Sequence, residues 1–196
     1  MAPDAERIAE IMAGDPGQEA TAICGSAALA RRFGMAFVHL RGSPQGWPHT
    51  TVAELDGGVV GIIQAGGATE ELRITPGLAL LAIRTFGPFR LPGLLHRLQA
   101  RARVQTRAPD NSYHISELDV DPAFRSRGIG GAMLEWAEAE ARARGHKVMS
   151  LSTTTTNPAR RLYERHGFRV AQTLTDQAYE RMTGIPGRYL MLKDLR

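Results

Sequence analysis

The amino-acid sequence predicts a mixed protein of the α/β or α+β class, with helices packed on a sheet. Two observations carry this prediction. Strand patterns alternate with helical patterns from Tyr113 to the end of the chain, and residues 50–67 have the pattern of a β-hairpin. A length of 196 residues, 43% of them hydrophobic, is sufficient for one domain with a substantial core.

Four segments are predicted before the hairpin: a helix at 3–12, a second helix at about 18–33, a short strand at 35–40 and a loop at 42–49. The first helix places Ile8, Ile11 and Met12 on one face, and Asp4 is its expected N-cap. The helical pattern therefore begins at the N-terminal end, with no strand pattern ahead of it.

The hairpin at 50–67 is predicted to turn at Asp56-Gly57-Gly58, a combination typical of tight turns between antiparallel strands. Residues 70–105 are predicted to be helical but interrupted within FGPFRLPG (86–93), because two prolines and two glycines do not fit inside one helix. RAPDN (107–111) is predicted to form a turn.

The C-terminal half is more sharply patterned. It is predicted as a strand at 113–120, a helix at about 129–144 ending at Gly145, a strand at 147–153, a helix from Asn157-Pro158 to Gly167, and strands near 168–174 and 188–193. The 129–144 helix carries an apolar stripe of Ile129, Met133, Trp136 and Ala137.

The composition excludes several kinds of site. Cys24 is the only cysteine, so an internal disulfide and a thiolate metal cluster are excluded, and no HExxH or HxH spacing predicts a metal site. The apolar run GLALLAI (77–83) is too short to cross a bilayer, and the acidic N-terminus does not resemble a secretory signal. A cytoplasmic protein without a metal or a membrane partner is therefore expected.

The charge pattern does not favour nucleic acid as a partner. The chain has 24 basic and 20 acidic residues, and only Lys147 and Lys193 of the basic ones are lysines. No block of like charges and no interleaving of basic with aromatic residues appears. A mildly positive surface remains compatible with a polyanionic ligand.

The stretch DPAFRSRGIGGAML (121–134) predicts an anion site between a strand and a helix. Glycines at a helix start let backbone N–H groups approach an anion, and the helix dipole adds a favourable potential there. The dinucleotide fingerprint GxGxxG does not fit, because Met133 stands at its last glycine, and a Walker A sequence is absent. Arg125, Gly128 and Gly130 match a third pattern, [RQ]xxGx[GA].

This third pattern resembles the pyrophosphate loop of the GNAT superfamily of N-acetyltransferases. The same pattern also fits residues 31–36 and 127–132, but only the match starting at Arg125 has a strand before it and a helix after it. The resemblance covers about 115–168, from ISELDVDPAFRSRGIGGAMLEWAEAEARARG to LSTTTTNPARRLYERHGF. Many members have glycine where Ser126 stands, and many begin with a strand that is not evident here.

The resemblance implies an α+β fold with a central, mostly antiparallel mixed sheet, and acyl-CoA bound at a splay between central strands. It implies a single domain over 1–196. Within it we expect three regions: 1–112, with helices, the hairpin and a helical insertion on the acceptor side; 113–168, the acetyl-CoA-binding core; and 169–196, the C-terminal strands.

Candidate residues for acetyl-CoA binding follow from the resemblance. They are Leu118, Asp119, Val120, Arg125, Ser126, Arg127, Gly128, Ile129, Gly130, Gly131, Ala132, Asn157 and Tyr163. The amides from Arg127 to Gly131 are expected to hold the pyrophosphate, and those of Leu118 and Val120 to polarise the thioester carbonyl. Ile115 and Leu118 are three residues apart in a period-two strand, which predicts a bulge near 116–118 or, alternatively, a plain irregularity.

The resemblance also implies that Tyr163 is the general acid that protonates the leaving thiolate, although Tyr163 also fits a core position. Asn157 is expected either to contact the cofactor or only to cap the helix that follows. Glu117 and His114 are alternative bases for the substrate ammonium, and Glu117 also fits an ordinary solvated strand position.

The predicted function is transfer of an acetyl group from acetyl-CoA directly to a primary amine. The alternative is a catalytically silent acyl-CoA-binding sensor or interaction module. The acceptor is expected to contact 18–33, 70–105 and the 174–188 connection with its Tyr179, Glu180 and Arg181. Small amines, amino acids, antibiotics and protein amines all stay open as acceptors, and both a monomer and a homodimer are compatible with the sequence.

Overall fold

The computed structural model describes residues 3–14, 17–38, 50–67 and 75–195. Eight α-helices lie within these ranges: α1 Pro3–Gly14, α2 Gly17–Cys24, α3 Ala27–Val38, α4 Pro76–Phe86, α5 Leu91–Ala102, α6 Ile129–Ala143, α7 Arg160–Arg165 and α8 Gln177–Thr183. Short 3-10 turns precede α5, at Pro88–Arg90, and α6, at Pro122–Phe124.

Six strands form one sheet in the order β1-β2-β3-β4-β6-β5. They are β1 Thr51–Leu55, β2 Gly58–Gly67, β3 Tyr113–Val120, β4 Val148–Thr154, β5 Arg169–Thr175 and β6 Gly187–Asp194. Every neighbouring pair is antiparallel except β3 and β4, which are parallel. The predicted mixed, mostly antiparallel sheet flanked by helices is therefore confirmed.

The parallel pair β3–β4 is joined over only three residue pairs, from Tyr113–Met149 to Ile115–Leu151. Both strands continue beyond this point, β3 to Val120 and β4 to Thr154, without pairing with each other. The sheet thus splits along its centre at the carboxyl ends of these two strands. This split determines where the candidate site lies.

Two apolar clusters hold the sheet between helices. The larger one includes Ile115 and Leu151 from β3 and β4, together with Leu134 from α6 and Tyr163 from α7. On another part of the sheet, Ile8 and Val38 of the N-terminal helices pack with Val59 and Ile62 of β2. Burial of this apolar surface is the main favourable contribution to the fold.

Two predictions for the N-terminal segment were wrong. The helix predicted at about 18–33 is two helices, α2 and α3, because the chain bends at Gly25, whose φ is +88°. The strand predicted at 35–40 does not form, since α3 continues to Val38, where the chain packs against β2. Residues 39–40, the predicted loop at 42–49 and residues 70–74 lie outside the described ranges.

The 174–188 connection also differs from the loop that was expected, because it contains α8. Its turn formers stand at the helix ends: Asp176 accepts a hydrogen bond from the Tyr179 amide at 2.8 Å, and Gly184 ends the helix with φ +70°. Tyr179 is fully buried, so it cannot contact an acceptor directly.

Other predictions of local structure were confirmed. The hairpin turns at Asp56 and Gly57, which both have positive φ, as a two-residue turn of this kind requires. The helical insertion breaks at Gly87, and β3 and α6 form where the pattern placed them. In α6, however, Trp136 is 38% exposed, and Leu134 rather than Trp136 fills the core.

Candidate active site

The loop 125–128 leads directly into the N-terminus of α6. Gly128 is the N-cap in a left-handed conformation, with φ +84°, and no side chain caps the helix. In the described part of the chain, no acceptor bonds the amides of Ile129, Gly130 and Gly131, the first three of the helix. These free N–H groups at the positive end of a 15-residue helix form a cradle for an anion.

The loop is fixed to the end of β3 by two contacts. The side chain of Asp121 caps the 3-10 turn by accepting from the Ala123 amide at 2.8 Å, and Asp121 also pairs with Arg7. The Nε of Arg125 donates to the Val120 carbonyl at 3.0 Å. Arg125 therefore holds the loop in place, while the rest of its guanidinium lies beside both clefts described below.

Close packing explains why glycines open α6. A Cβ on Gly130 would lie 3.1 Å from Leu162 Cδ2, and one on Gly131 would lie 3.1 Å from His166 Nε2. A side chain at either position would require these side chains to shift by a few tenths of an ångström. Ser126 has φ +61°, a left-handed conformation that glycine adopts without strain. This conformation gives a physical reason for glycine at the position in many GNAT members.

Two other members of the predicted loop set have other partners. The Ala132 amide donates to the Gly128 carbonyl at 3.0 Å and so begins the regular helix. The guanidinium of Arg127 lies over the Phe124 ring at 5.3 Å from its centroid. Neither group takes part in the free amide cradle, although the Arg127 charge remains close to it.

The predicted bulge in β3 is confirmed. Glu117 pairs with Gln64 and Ile115 pairs with the next residue of β2, Ala65, so Ser116 is the extra residue. Past the bulge, the Asp121 amide donates to Val60 of β2 at 2.9 Å.

The hydrogen bond from the Asp121 amide to β2 shows which way the neighbouring amides of β3 point. Because backbone groups alternate along a strand, those of Leu118 and Val120 point away from β2, toward the split in the sheet. The amides of Leu118 and Val120 are the two that the resemblance predicted to bind the thioester oxygen.

Two clefts meet at the split. The first, of about 550 Å³, is lined by the loop, the start of α6 and residues of α7. The second, of about 670 Å³, continues toward α1, α2 and α3. The residues shared by both walls are Leu118, Asp119, Arg125, Asn157, Pro158 and Tyr163. An elongated ligand could therefore lie across the split, with its anionic end at the cradle.

Glu117 and Asp119 place two carboxyl groups on the same wall of the second cleft. Burial, and then the negative charge of Asp119 and a hydrogen bond with it, raise the pKa of Glu117 to about 8, while Arg188 opposes the shift. A carboxyl group with a pKa near neutrality is well suited to accept and release a proton.

His114 lies in the part of β3 that pairs with β4. Its Nδ1 lies 2.9 Å from Ser150 Oγ, and Ser150 in turn bonds Ser112 at 2.7 Å. Burial lowers the pKa of His114. His114 is not among the residues that line the two clefts, so the structure brings Glu117, but not His114, to the candidate site.

Tyr163 lines the second cleft together with the two carboxyl groups, and it lines the first cleft as well. It is only 7% exposed, and its ring packs edge-on against Phe168. No hydrogen bond to its hydroxyl comes from the residues that the structure describes. Burial, and then the charges of Glu117 and Asp119, raise its pKa to about 12, so the phenol is protonated at neutral pH.

The predicted capping role of Asn157 is wrong, because the N-cap of α7 is Ala159 and no side chain caps the helix, but Asn157 holds the turn just before it. Its Oδ1 accepts from the Ala159 amide at 2.9 Å, and its Nδ2 donates to Thr153 Oγ1 at 2.8 Å. These bonds fix the turn between β4 and α7, which carries Tyr163. Asn157 also lines both clefts, so contact with a ligand is geometrically compatible with this role.

Sequence reasoning missed a charged group at the far end of the second cleft. Glu19 of α2 binds Arg188 of β6 at 2.5 Å, Arg101 of α5 at 2.7 Å and the Tyr179 hydroxyl at 2.6 Å. These residues are far apart in the chain, and no local spacing could have indicated their meeting. In the described ranges, no group of three His, Cys, Asp or Glu residues could hold a metal ion.

Comparison with known proteins identifies the arrangement. The sequence model of the acetyltransferase (GNAT) family matches residues 27–168, more than half of the chain. The chain belongs to the GNAT acetyltransferase family. Its split sheet and glycine-rich loop are therefore those of an acyltransferase fold, as the sequence predicted.

Two solved structures are similar to this GNAT protein over nearly its whole length. One is an acetyltransferase, 22% identical with a TM-score of 0.58, covering 98% of this chain and 95% of the other. The second is described as an acetyltransferase of the GNAT family from Desulfovibrio desulfuricans, 18% identical with a TM-score of 0.53, covering 97% and 94%. These likenesses support the fold.

A stretch of 56 residues is 43% identical to the aminoalkylphosphonate N-acetyltransferase of Salmonella typhimurium. The match spans 28% of this chain and 36% of that enzyme. It therefore supports the family, whereas the acceptor named for that enzyme belongs to a protein of which about two thirds is not matched.

Proposed function

We propose that this GNAT protein transfers the acetyl group of acetyl-CoA to a primary amine. One observation carries the proposal: a cradle of free amides at the start of α6 opens into the same split that Glu117 and Tyr163 line. The cradle fits a diphosphate, because its N–H groups have no acceptor among the described residues and the helix dipole favours negative charge.

Acetyl-CoA would supply the activated acyl group, and residues of this chain would bind it and move protons. The amides of Ile129, Gly130 and Gly131 would hold the pyrophosphate. The amides of Leu118 and Val120, which point into the split, would bind the acyl oxygen. Such preorganised donors contribute about 3–4 kcal/mol each to lowering the barrier.

Two side chains would move protons in this scheme. Glu117 would take a proton from the ammonium of the acceptor, directly or through a water molecule, and leave a neutral amine able to attack the thioester carbon. Tyr163 would then give its proton to the departing sulfur. The presence of both Glu117 and Tyr163 in the lining of one cleft supports this division of roles.

The acceptor is expected to be cationic. The second cleft carries the carboxyl groups of Glu117 and Asp119, and also Glu19, whose charge is balanced by its ion pairs with Arg188 and Arg101. An ammonium group would be attracted to Asp119 and to the ionised form of Glu117. Small amines, amino acids and protein amines all satisfy this requirement.

Acetyl-CoA is expected to stabilise the folded protein. With a Kd of about 10 μM, about 1 mM acetyl-CoA is a roughly hundredfold excess over Kd, which adds about 2.7 kcal/mol to the free energy of unfolding. The Tm should therefore rise clearly with acetyl-CoA in a thermal denaturation experiment, and much less with adenosine, which lacks the diphosphate. An unchanged Tm would contradict the proposal.

The activity itself is tested by screening amines and peptides as acceptors while measuring the release of free thiol. Release that depends on both acetyl-CoA and one class of acceptor supports transfer. Acetyl-CoA binding without thiol release on any acceptor would instead support the silent sensor.

The pH dependence of acetyl transfer offers a further prediction. Since only the ionised form of Glu117 can accept a proton, kcat/KM should rise with pH through about 8, the raised pKa of this group. Replacing Asp119 with asparagine removes a neighbouring negative charge and lowers the pKa of Glu117. The rising limb of the D119N profile should therefore move to lower pH.

This experiment uses one acceptor for every variant, so that the titration of the acceptor itself is common to all profiles. D110N is the control, because Asp110 is an exposed carboxylate in the turn before β3. An active D119N enzyme with an unshifted rising limb would contradict the role of Glu117 as base.

A further inference from the structure

The segment between β2 and β3 forms two helices and a sharp corner. We call residues 75–103 the α4–α5 arm; it consists of α4, the 3-10 turn Pro88–Arg90 and α5. In the described ranges no single helix is long and apolar enough to cross a membrane. Helices α4 and α5 reach that length and composition only together, and they are bent by 97°.

The arm exposes an unusual amount of apolar surface. Of eight large apolar side chains that are exposed in the described part of the chain, five lie on it: Leu80, Ile83, Phe89, Leu95 and Leu98. Phe89, at the corner between the helices, is 97% exposed. Isolated exposed apolar residues are common, whereas such a concentration on one element indicates an interaction surface.

The charge of the arm is one-sided. Residues 75–103 contain five arginines and no aspartate or glutamate. Arg101 pairs with Glu19, and Arg97 donates to the Ile23 carbonyl, so these two face the protein. Arg84 and Arg90 are exposed near the corner, and no acidic side chain in the described ranges forms an ion pair with either.

The exposed apolar side chains and the positive charge of the arm together favour one kind of partner over others. A second copy of the chain in a symmetric dimer would bring the same positive charges together, which is unfavourable. Nucleic acid would neutralise the arginines but would not bury Phe89 or the leucines. An anionic bilayer satisfies both features, since it attracts the arginines and takes exposed apolar side chains into its interface.

We propose that the α4–α5 arm docks on the surface of an anionic lipid bilayer. Phe89 enters the boundary between headgroups and acyl chains, and Arg84 and Arg90 contact lipid phosphates. The proposal departs from the expectation that the protein has no membrane partner. That expectation rested on the length of the apolar runs, which excludes a spanning segment but not peripheral contact.

Docking would also place the candidate site relative to the membrane. The arm packs against the helices that line the acceptor end of the second cleft: Phe86 of α4 contacts Phe33 of α3, with ring centroids 5.4 Å apart, and Arg101 of α5 binds Glu19 of α2. A chain held by the arm would therefore keep its acceptor wall near the lipid surface.

The test is sedimentation of the full chain with lipid vesicles at low salt. Vesicles of phosphatidylcholine with phosphatidylglycerol should bind the protein roughly tenfold more tightly than vesicles of phosphatidylcholine alone, and added NaCl should weaken binding. F89S, and separately the double variant R84S/R90S, should each weaken binding to anionic vesicles by about fivefold or more.

Matched controls are V170S and R169S, because Val170 and Arg169 are an exposed apolar and an exposed basic residue on β5, away from the arm. Both should bind vesicles as the unaltered chain does, and circular dichroism verifies that all variants are folded. Since binding is read without acetyl transfer, the result is independent of the proposed activity.

Several outcomes would overturn the proposal. They are no binding to anionic vesicles, equal binding to neutral ones, or an unchanged affinity in F89S. Sedimentation equilibrium that shows a dimer broken by F89S would assign the arm to a second copy instead. Salt-sensitive binding to DNA that is weakened by R84S/R90S, without vesicle binding, would assign it to nucleic acid.

Discussion

Replacing Tyr163 with phenylalanine is expected to lower kcat for acetyl transfer by on the order of a hundredfold or more, with little change in the Kd for acetyl-CoA. The phenol faces the cleft and forms no hydrogen bond with the described residues, so the substitution removes a proton donor and leaves the packing intact. Stopped assays of thiol release give kcat, and calorimetry gives Kd.

The matched control is Y189F. Tyr189 lies on β6, and its hydroxyl accepts a hydrogen bond from Arg160 at 3.2 Å. Tyr189 does not line either cleft. This variant loses a phenolic hydroxyl as Y163F does, but it should retain its kcat. Equal turnover in Y163F and the unaltered enzyme would remove Tyr163 from the role of general acid and leave it as a core tyrosine.

Replacing Gly128 with valine is expected to weaken acetyl-CoA binding by roughly tenfold to a hundredfold. Gly128 has φ +84°, and a branched side chain there costs about 1–2 kcal/mol or forces the backbone to turn. Turning the backbone redirects the amides of the cradle. Loss of a single hydrogen bond to a charged group costs about 1.5–3 kcal/mol, which corresponds to the expected change in Kd.

Gly145 offers a closely matched control at the other end of α6. Its φ is +78°, and a Cβ there, as at Gly128, would meet no atom within 4 Å. G145V should therefore lose comparable stability in denaturant unfolding while its affinity for acetyl-CoA stays close to that of the unaltered chain. If both variants lost affinity equally, the effect would come from general destabilisation, and the cradle would not be the anion site.

Local structure in the C-terminal half could be predicted because residues typical of turns and helix ends mark the limits of its elements. Asp121, Gly145 and Gly167 stand at turns or helix ends, and the bulge in β3 left a trace in the spacing of Ile115 and Leu118. The failures at 18–33 and 35–40 have a common cause. Their small apolar residues suit several conformations, and packing against β2 and the other helices decides between them.

One part of the candidate site could likewise be predicted from the sequence, and another part could not. The anion cradle could be predicted because its residues are contiguous, and their function depends on the backbone of one loop. The sequence nominated both Glu117 and His114 as bases and could not choose between them. The structure places only Glu117 in the cleft, because His114 lies where β3 still pairs with β4, whereas Glu117 lies beyond the point where the two strands separate.

By itself, the sequence determined the family, the glycine-rich loop before α6 and the nominees for proton transfer, since these follow from neighbouring residues and their spacing. Only the tertiary structure decided that Glu19, Arg101 and Arg188 meet, and that Arg188 lies near Glu117. It also decided that Phe89, at the corner of the arm, is 97% exposed. These features depend on contacts between segments far apart in the chain, and no local pattern records them.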